Sequence, residues 1–146
     1  MESRHHFETG NALPLCAILA ESGAVVCWGD NRFGQAAPPD TVNGVAGTAS
    51  AVAANERHSC AIRAEAGAVV CWGDDYWGQA TPPAAVDGTA GTASAIAVGE
   101  TFSLAIGAPE PGALALGTAA LAAIHAIAWT RRRSGSFAKG VPTRAR

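Results

Sequence analysis

Residues 16–39 read CAILAESGAVVCWGDNRFGQAAPP, and residues 60–83 read CAIRAEAGAVVCWGDDYWGQATPP. The second stretch is the first moved by 44 positions: Cys16 recurs as Cys60, Cys27 as Cys71, Trp28 as Trp72, Gly34-Gln35 as Gly78-Gln79, and Pro38-Pro39 as Pro82-Pro83. The period continues outward, because AGTAS at position 46 returns at position 90. A third copy starts, with ASAVAANERHSCAI from Ala49 aligning to ASAIAVGETFSLAI from Ala93, and breaks off at Gly107. In that copy His58 becomes Phe102 and Cys60 becomes Leu104, and its partner strand is missing altogether. A long match at one fixed offset marks a repeat architecture.

Each copy reads as β-structure. The runs CAIL and AVVCW are short and rich in strand formers, and Gly23 between them can take the positive φ that closes a hairpin loop. With residues 20–23 as the loop, Cys16 faces Cys27 and Ile18 faces Val25. One hairpin face then carries Cys16, Ile18, Val25 and Cys27, and the other carries Ala17, Leu19, Val26 and Trp28. Both faces are apolar, which predicts a hairpin covered on both sides. GDNRFGQAAPPD follows as a loop of turn formers, and TASAVAAN as a third strand. A helical repeat fails, because Gly, Pro and β-branched residues fall where a helix would break. A period in the forties with several short strands and a recurrent Trp-Gly reads as a propeller blade or a β-solenoid coil.

The same residues resemble the regulator of chromosome condensation repeat, in the form found in bacterial exported proteins. The matching elements are the hairpin glycines Gly23 and Gly67, the pairs Trp28-Gly29 and Trp72-Gly73, the Gly-Gln pairs, and His58 ahead of Ser59-Cys60. That resemblance implies a β-propeller of about seven blades, of which this chain supplies about two and a half.

The four cysteines form two pairs with the same spacing. In the hairpin register each pair lies directly opposite, within reach of a disulfide. Zinc is the rival ligand, but no further His or Cys clusters with either pair. Two pairs of reduced core thiols are the other alternative. Exported proteins occupy oxidising compartments, which favours disulfides.

Composition changes after Ala108. Residues 113–129 form an apolar run of 17 residues, which as a helix reaches about 26 Å against a hydrocarbon core of about 30 Å. Trp129 stands at the interface position, and Arg131, Arg132 and Arg133 follow, so the positive-inside rule predicts that end in the cytoplasm and the repeats outside. An Ala-rich helix packed on a soluble core is the alternative. The order Pro109-Glu110-Pro111, apolar run and Arg131, Arg132, Arg133 resembles a PEP-CTERM sorting tail. That resemblance implies an inner-membrane anchor, an exosortase-type processing enzyme as partner, and release of the body to the cell surface. Residues 1–16 hold no apolar leader, which predicts that the chain continues upstream of Met1 with further blades.

Charge follows the same division. Residues 1–110 carry 12 acidic and 4 basic side chains, whereas residues 111–146 carry no acid and 6 bases. An acidic body repels phosphates, so nucleic acid is excluded as its partner. The aromatics Phe33, Tyr76 and Trp77 lie at the same loop of the repeat and read either as an exposed contact surface or as packing between blades. Asp30, Asp74 and Asp75 lack the ligand pattern of a calcium loop and read as turn caps. His58 reads as a hydrogen-bonding strut between strands. His5-His6 lies in an unpatterned terminus, and Ser59 and Ser103 have no acid–base partner within the motif.

The expectation is an all-β chain, a partial propeller with one C-terminal transmembrane helix. Residues 1–9 are unpatterned, 10–107 hold the repeats (10–53, 54–97 and the partial 98–107), 108–133 form the sorting segment with helix 113–129, and 134–146 form a basic tail. No catalytic, cofactor or metal residues are read. The expected function is a non-enzymatic, surface-directed scaffold for a protein or glycan partner. The alternatives are a membrane-tethered subunit that completes a propeller as a homo-oligomer, and a degenerate gene remnant.

Overall fold

The computed structural model describes residues 13–109 and 126–129. All regular structure among them is β: β1 Leu15–Ile18, β2 Val25–Trp28, β3 Ala49–Ala54, β4 His58–Arg63, β5 Val69–Gly73, β6 Ala93–Val98, β7 Ser103–Gly107 and β8 Ala126–Trp129. They form three antiparallel sheets, β1-β2, β3-β4-β5 and β6-β7-β8.

The hairpin register is the one the sequence predicts. Cys16 pairs with Cys27 and Ile18 with Val25, and 44 residues later Cys60 pairs with Cys71 and Ile62 with Val69. Gly23 (φ 71°) closes the loop, with its N–H donating to the Leu19 carbonyl at 2.7 Å. Each opposed cysteine pair is a disulfide, Cys16–Cys27 and Cys60–Cys71.

The strand over residues 49–54 does not join the hairpin that precedes it. It pairs with β4 of the following copy, and β6 pairs likewise with β7. Each complete sheet thus takes its first strand from the end of one sequence copy and its hairpin from the next.

The cores lie between successive sheets. Val25, Val42, Ala49, Ala61 and Trp72 pack between the first and second. Val69, Val86, Ala93, Ala105 and Trp129 fill the corresponding positions between the second and third. Val42 and Val86 sit in what reads as loop, yet both are fully buried. The turn after Pro39 lets the Val42 carbonyl accept from Val25 N–H at 2.9 Å, and Val86 does the same for Val69 at 2.8 Å. Each such valine contributes roughly 1.5–3 kcal/mol of burial.

Three expectations need correction. The first hairpin is covered on one face only: Leu19, Val26 and Trp28 are exposed, because no sheet among the described residues lies against that face. The third copy does have its partner strand. Ala126–Trp129 pairs with β7 so that Trp129 stands opposite Ser103, as Trp72 stands opposite Ser59. Consequently the last four residues of the expected helix 113–129 are a strand. The edge of β7 needs a ladder partner, and its backbone groups are satisfied by pairing. Among the described residues no helix is long and apolar enough to cross a membrane. Pro109 is exposed. Residues 1–9, Glu110, Pro111, 113–125, Arg131, Arg132, Arg133 and the tail 134–146 lie outside the described residues.

Candidate functional site

The loops after β2 and β5 share one backbone design. Each opens on the glycine of a Trp-Gly pair. At Gly73 (φ 107°) a Cβ would lie 2.5 Å from the Arg57 carbonyl oxygen and 2.8 Å from His58 Cα, so no other residue fits. Asn31 Oδ1 then accepts from Ala36 N–H at 2.9 Å, and Asp75 Oδ1 accepts from Ala80 N–H at 2.8 Å. Asp75 is one of the turn caps read from the sequence; Asp30 and Asp74, which accept from Arg32 N–H at 3.3 Å and Tyr76 N–H at 3.0 Å, are the other two, and Asn31 is a further one. Gln35 Oε1 accepts from Phe33 N–H at 2.8 Å, and Gln79 Oε1 from Trp77 N–H at the same distance.

The Gly-Gln loop fastens one sheet to the next. The Gln35 carbonyl accepts from Ser59 Oγ at 3.0 Å and from Trp72 Nε1 at 2.9 Å. Its amide Nε2 reaches the Glu56 carbonyl at 2.9 Å and Asp30 Oδ2 at 3.2 Å. The Gln79 carbonyl accepts from Ser103 Oγ at 2.8 Å. Both glutamines are fully buried. Their role was not legible in one copy, although Gln, Ser and Trp recur together.

Ser103 meets a histidine from another copy of the repeat: His58 Nε2 lies 2.8 Å from its Oγ. The pair bridges β4 and β7, so His58 is a strut between sheets and not within one. Because the Ser103 proton is donated to Gln79, the hydroxyl accepts from His58 Nε2–H, and His58 Nδ1 has no partner. Both residues are fully buried. Burial holds the His58 pKa below its ordinary value, with Asp74 and Asp75 pulling the other way. A hydroxyl whose proton goes to a carbonyl and not to a base, out of reach of solvent, is not activated for attack.

The outer surface of these loops carries Phe33, Tyr76 and Trp77, all three exposed among the described residues. Tyr76 meets Trp77 edge to face, ring centroids 4.7 Å apart. Around Phe33 the charges are internally matched. Arg32 forks Asp30, with Nε and Nη2 at 2.8–2.9 Å from its oxygens. That fork holds the Asp30 carboxyl below the usual range. Arg57 lies over the Phe33 ring, 5.2 Å from the centroid, and 3.6 Å from Asp74. Among the described residues no group of three or more His, Cys, Asp or Glu side chains is placed to hold a metal ion.

Comparison with known proteins bears on the fold. Among solved structures, the ectodomain of the Physcomitrella patens receptor kinase CR4 is similar at 27% identity and a TM-score of 0.49, covering 66% of this chain and 25% of that one. The CRINKLY WD40 ectodomain of the Arabidopsis thaliana receptor kinase ACR4 is similar at 18% identity and a TM-score of 0.50, covering 81% of this chain and 33% of that one. The chain thus spans between a quarter and a third of the length of these ectodomains. The second likeness shows a β-propeller-like arrangement of small sheets. No curated protein matches the chain significantly. In sequence, residues 16–35 and 49–79, which hold the two disulfide hairpins and the Gly-Gln loops, match the regulator of chromosome condensation (RCC1) repeat.

Proposed function

We propose that the chain is a non-enzymatic binding scaffold working outside the cytoplasm, whose propeller-type blades hold out the Gly-Gln loops to a protein or glycan partner. The observation that carries this reading is the exposure of Phe33, Tyr76 and Trp77 on loops whose backbones are otherwise fixed by caps and inter-sheet hydrogen bonds. Rigid exposed aromatics make contact area at little entropic cost. Two disulfides among the described residues support an oxidising compartment. The buried His58–Ser103 pair supports the absence of catalysis, since it cannot meet a substrate. The test is to probe the oxidised full chain on peptide and glycan arrays beside a Phe33→Ala, Tyr76→Ala, Trp77→Ala triple variant. Binding by the parent that the triple variant loses, at an unchanged melting curve, is expected. Binding indifferent to all three aromatics overturns the reading.

A second reading has its own observation. Trp28 is 52% exposed where Trp72 is 9%, so among the described residues the first sheet lacks the cover that the second receives from the Gln35 loop. We infer that a second copy of the chain supplies that cover and extends the ring, which sedimentation tests.

A further inference from the structure

The two Gly-Gln loops share a backbone and differ in charge. In the first, Asp30, Arg32 and Phe33 with Glu56 and Arg57 line a cleft of about 250 Å³ that is also bounded by Leu13 and Pro14. Its acids and bases balance: Arg32 forks Asp30 and is drawn further by Glu56, while Arg57 covers the Phe33 ring. Forty-four residues on, the acids are kept and increased, as Asp30 becomes Asp74, Glu56 becomes Glu100, and Asn31 becomes Asp75. The aromatic is enlarged, as Phe33 becomes Trp77. The two cations have no counterparts at the second loop, because Tyr76 stands for Arg32 and Thr101 for Arg57, and among the described residues the one cation that reaches an acid of this loop is Arg57 of the first, on Asp74.

The backbone that displays these residues is unchanged. Gly34 N–H donates to the Asn31 carbonyl at 3.1 Å and Gly78 N–H to the Asp75 carbonyl at 3.0 Å. Asn55 N–H donates to the His58 carbonyl at 3.0 Å and Gly99 N–H to the Phe102 carbonyl at 2.8 Å. The position above Trp77 therefore corresponds to the one that Arg57 fills above Phe33, and the short, exposed Thr101 does not fill it.

A second trace of the missing cation lies beneath the loop. In the first copy the Arg32 fork fixes the Asp30 carboxylate where Gln35 Nε2 reaches it. In the second copy Asp74 is engaged by Arg57 from the other side, and Gln79 Nε2 is buried without a hydrogen-bond partner. Among the described residues the carboxylates do not converge on a metal.

We propose that the second loop binds an arginine side chain of a partner protein, its guanidinium lying over Trp77 and paired with the Glu100 carboxylate. Tryptophan offers the strongest cation–π face, and a planar guanidinium matches a carboxylate in two parallel hydrogen bonds. The excess of acids over bases in residues 1–110 steers a basic segment toward this face. The proposal rests on the loop face being the binding surface, and it names the chemistry of the partner.

The experiment titrates the oxidised full chain with a capped Gly-Gly-Arg-Gly-Gly peptide, followed by indole and backbone NMR shifts. The same peptide with citrulline, lysine or glutamate in place of arginine serves for comparison. Saturable binding of the arginine peptide is expected, weakened by salt, with the citrulline and glutamate peptides silent. Trp77→Ala and Glu100→Gln each weaken it by about tenfold or more. Thr101→Arg restores in cis what Arg57 gives Phe33, so it abolishes binding while the fold is kept. The proposal is overturned if citrulline binds as well as arginine, if lysine binds more tightly, if Thr101→Arg leaves the affinity unchanged, or if no arginine binding is seen. In the last case, Trp77-dependent capture of a glycan or neutral peptide on the arrays leaves the binding face standing and removes only the cation.

Discussion

His58 shows how a residue that looks catalytic becomes structural by being fully enclosed. Its Nε2 is spent on Ser103, its Nδ1 is buried without a partner, and a proton added to Nδ1 would bring an uncompensated charge into the interface between two sheets. The residues that face it with charge are Asp74 and Asp75, and they offset only part of the desolvation. Because the folded pKa lies below the unfolded value of about 6.5, the unfolded chain takes up the proton first as pH falls. Stability is therefore full above that value and declines as pH drops through it toward the folded pKa. Urea midpoints measured between about pH 7 and pH 5 should fall for the parent chain, and His58→Gln, which keeps a donor toward Ser103 but cannot titrate, should flatten the curve. The sequence made the strut legible, since no nucleophile recurs beside His58. It did not show the partner, because Ser103 lies 45 positions away in a copy where the histidine itself has become Phe102.

At the scale of the element, the hairpins were the most legible part of the chain. A turn glycine and two opposed cysteines fix a register, and a slip of one residue would separate the cysteines. The disulfides close short loops, each with a separation of 11 residues, and chiefly restrict the unfolded chain. Replacing Cys60 and Cys71 together by Ala should cost about 2–4 kcal/mol in denaturant unfolding. The strand β8 was not legible, for two physical reasons. Ala126–Trp129 continues an apolar run, and a short apolar run has no period of its own to separate strand from helix. The repeat offset also fails there, since Trp129 follows Trp72 by 57 residues and not 44. The two accounts of this segment differ in energy. Trp129 is 9% exposed within the core of the second and third sheets, so Trp129→Ala should lower blade stability by about 3–5 kcal/mol. A tryptophan at the end of a membrane helix apart from the repeats would leave the melting of the blades unchanged, and that outcome would restore the helix.

At the largest scale the described residues form a series of sheets in which the second and the third are each finished by the loop of the one before. This order explains why the first sheet differs from its copies. The second sheet offers Ser59 and Trp72 to the Gln35 carbonyl, and the third offers Ser103 to that of Gln79. At the same position the first sheet has Leu15, and Leu13, Leu15 and Trp28 are all about half exposed, at 53%, 53% and 52%. The chain's number of copies was plain from the 44-residue offset, but the cover of this face was not, because the cover belongs to whatever stands before the first Gly-Gln loop. An apolar face of this kind marks an interaction site, and the exchange of serine for leucine replaces a directional hydrogen bond by a surface that gains from simple burial. If a second copy covers it, Leu15→Glu places a charge in the middle of the contact, where burial without a partner is costly. Sedimentation velocity across a concentration series should then show the parent chain associating and the variant remaining a single copy. The melting curve at high dilution should be the same for both, since Leu15 is exposed in one copy and its loss disturbs no core. A parent chain that stays single at every concentration, or a variant that associates as the parent does, removes the second copy from this face and leaves it to a blade of another kind.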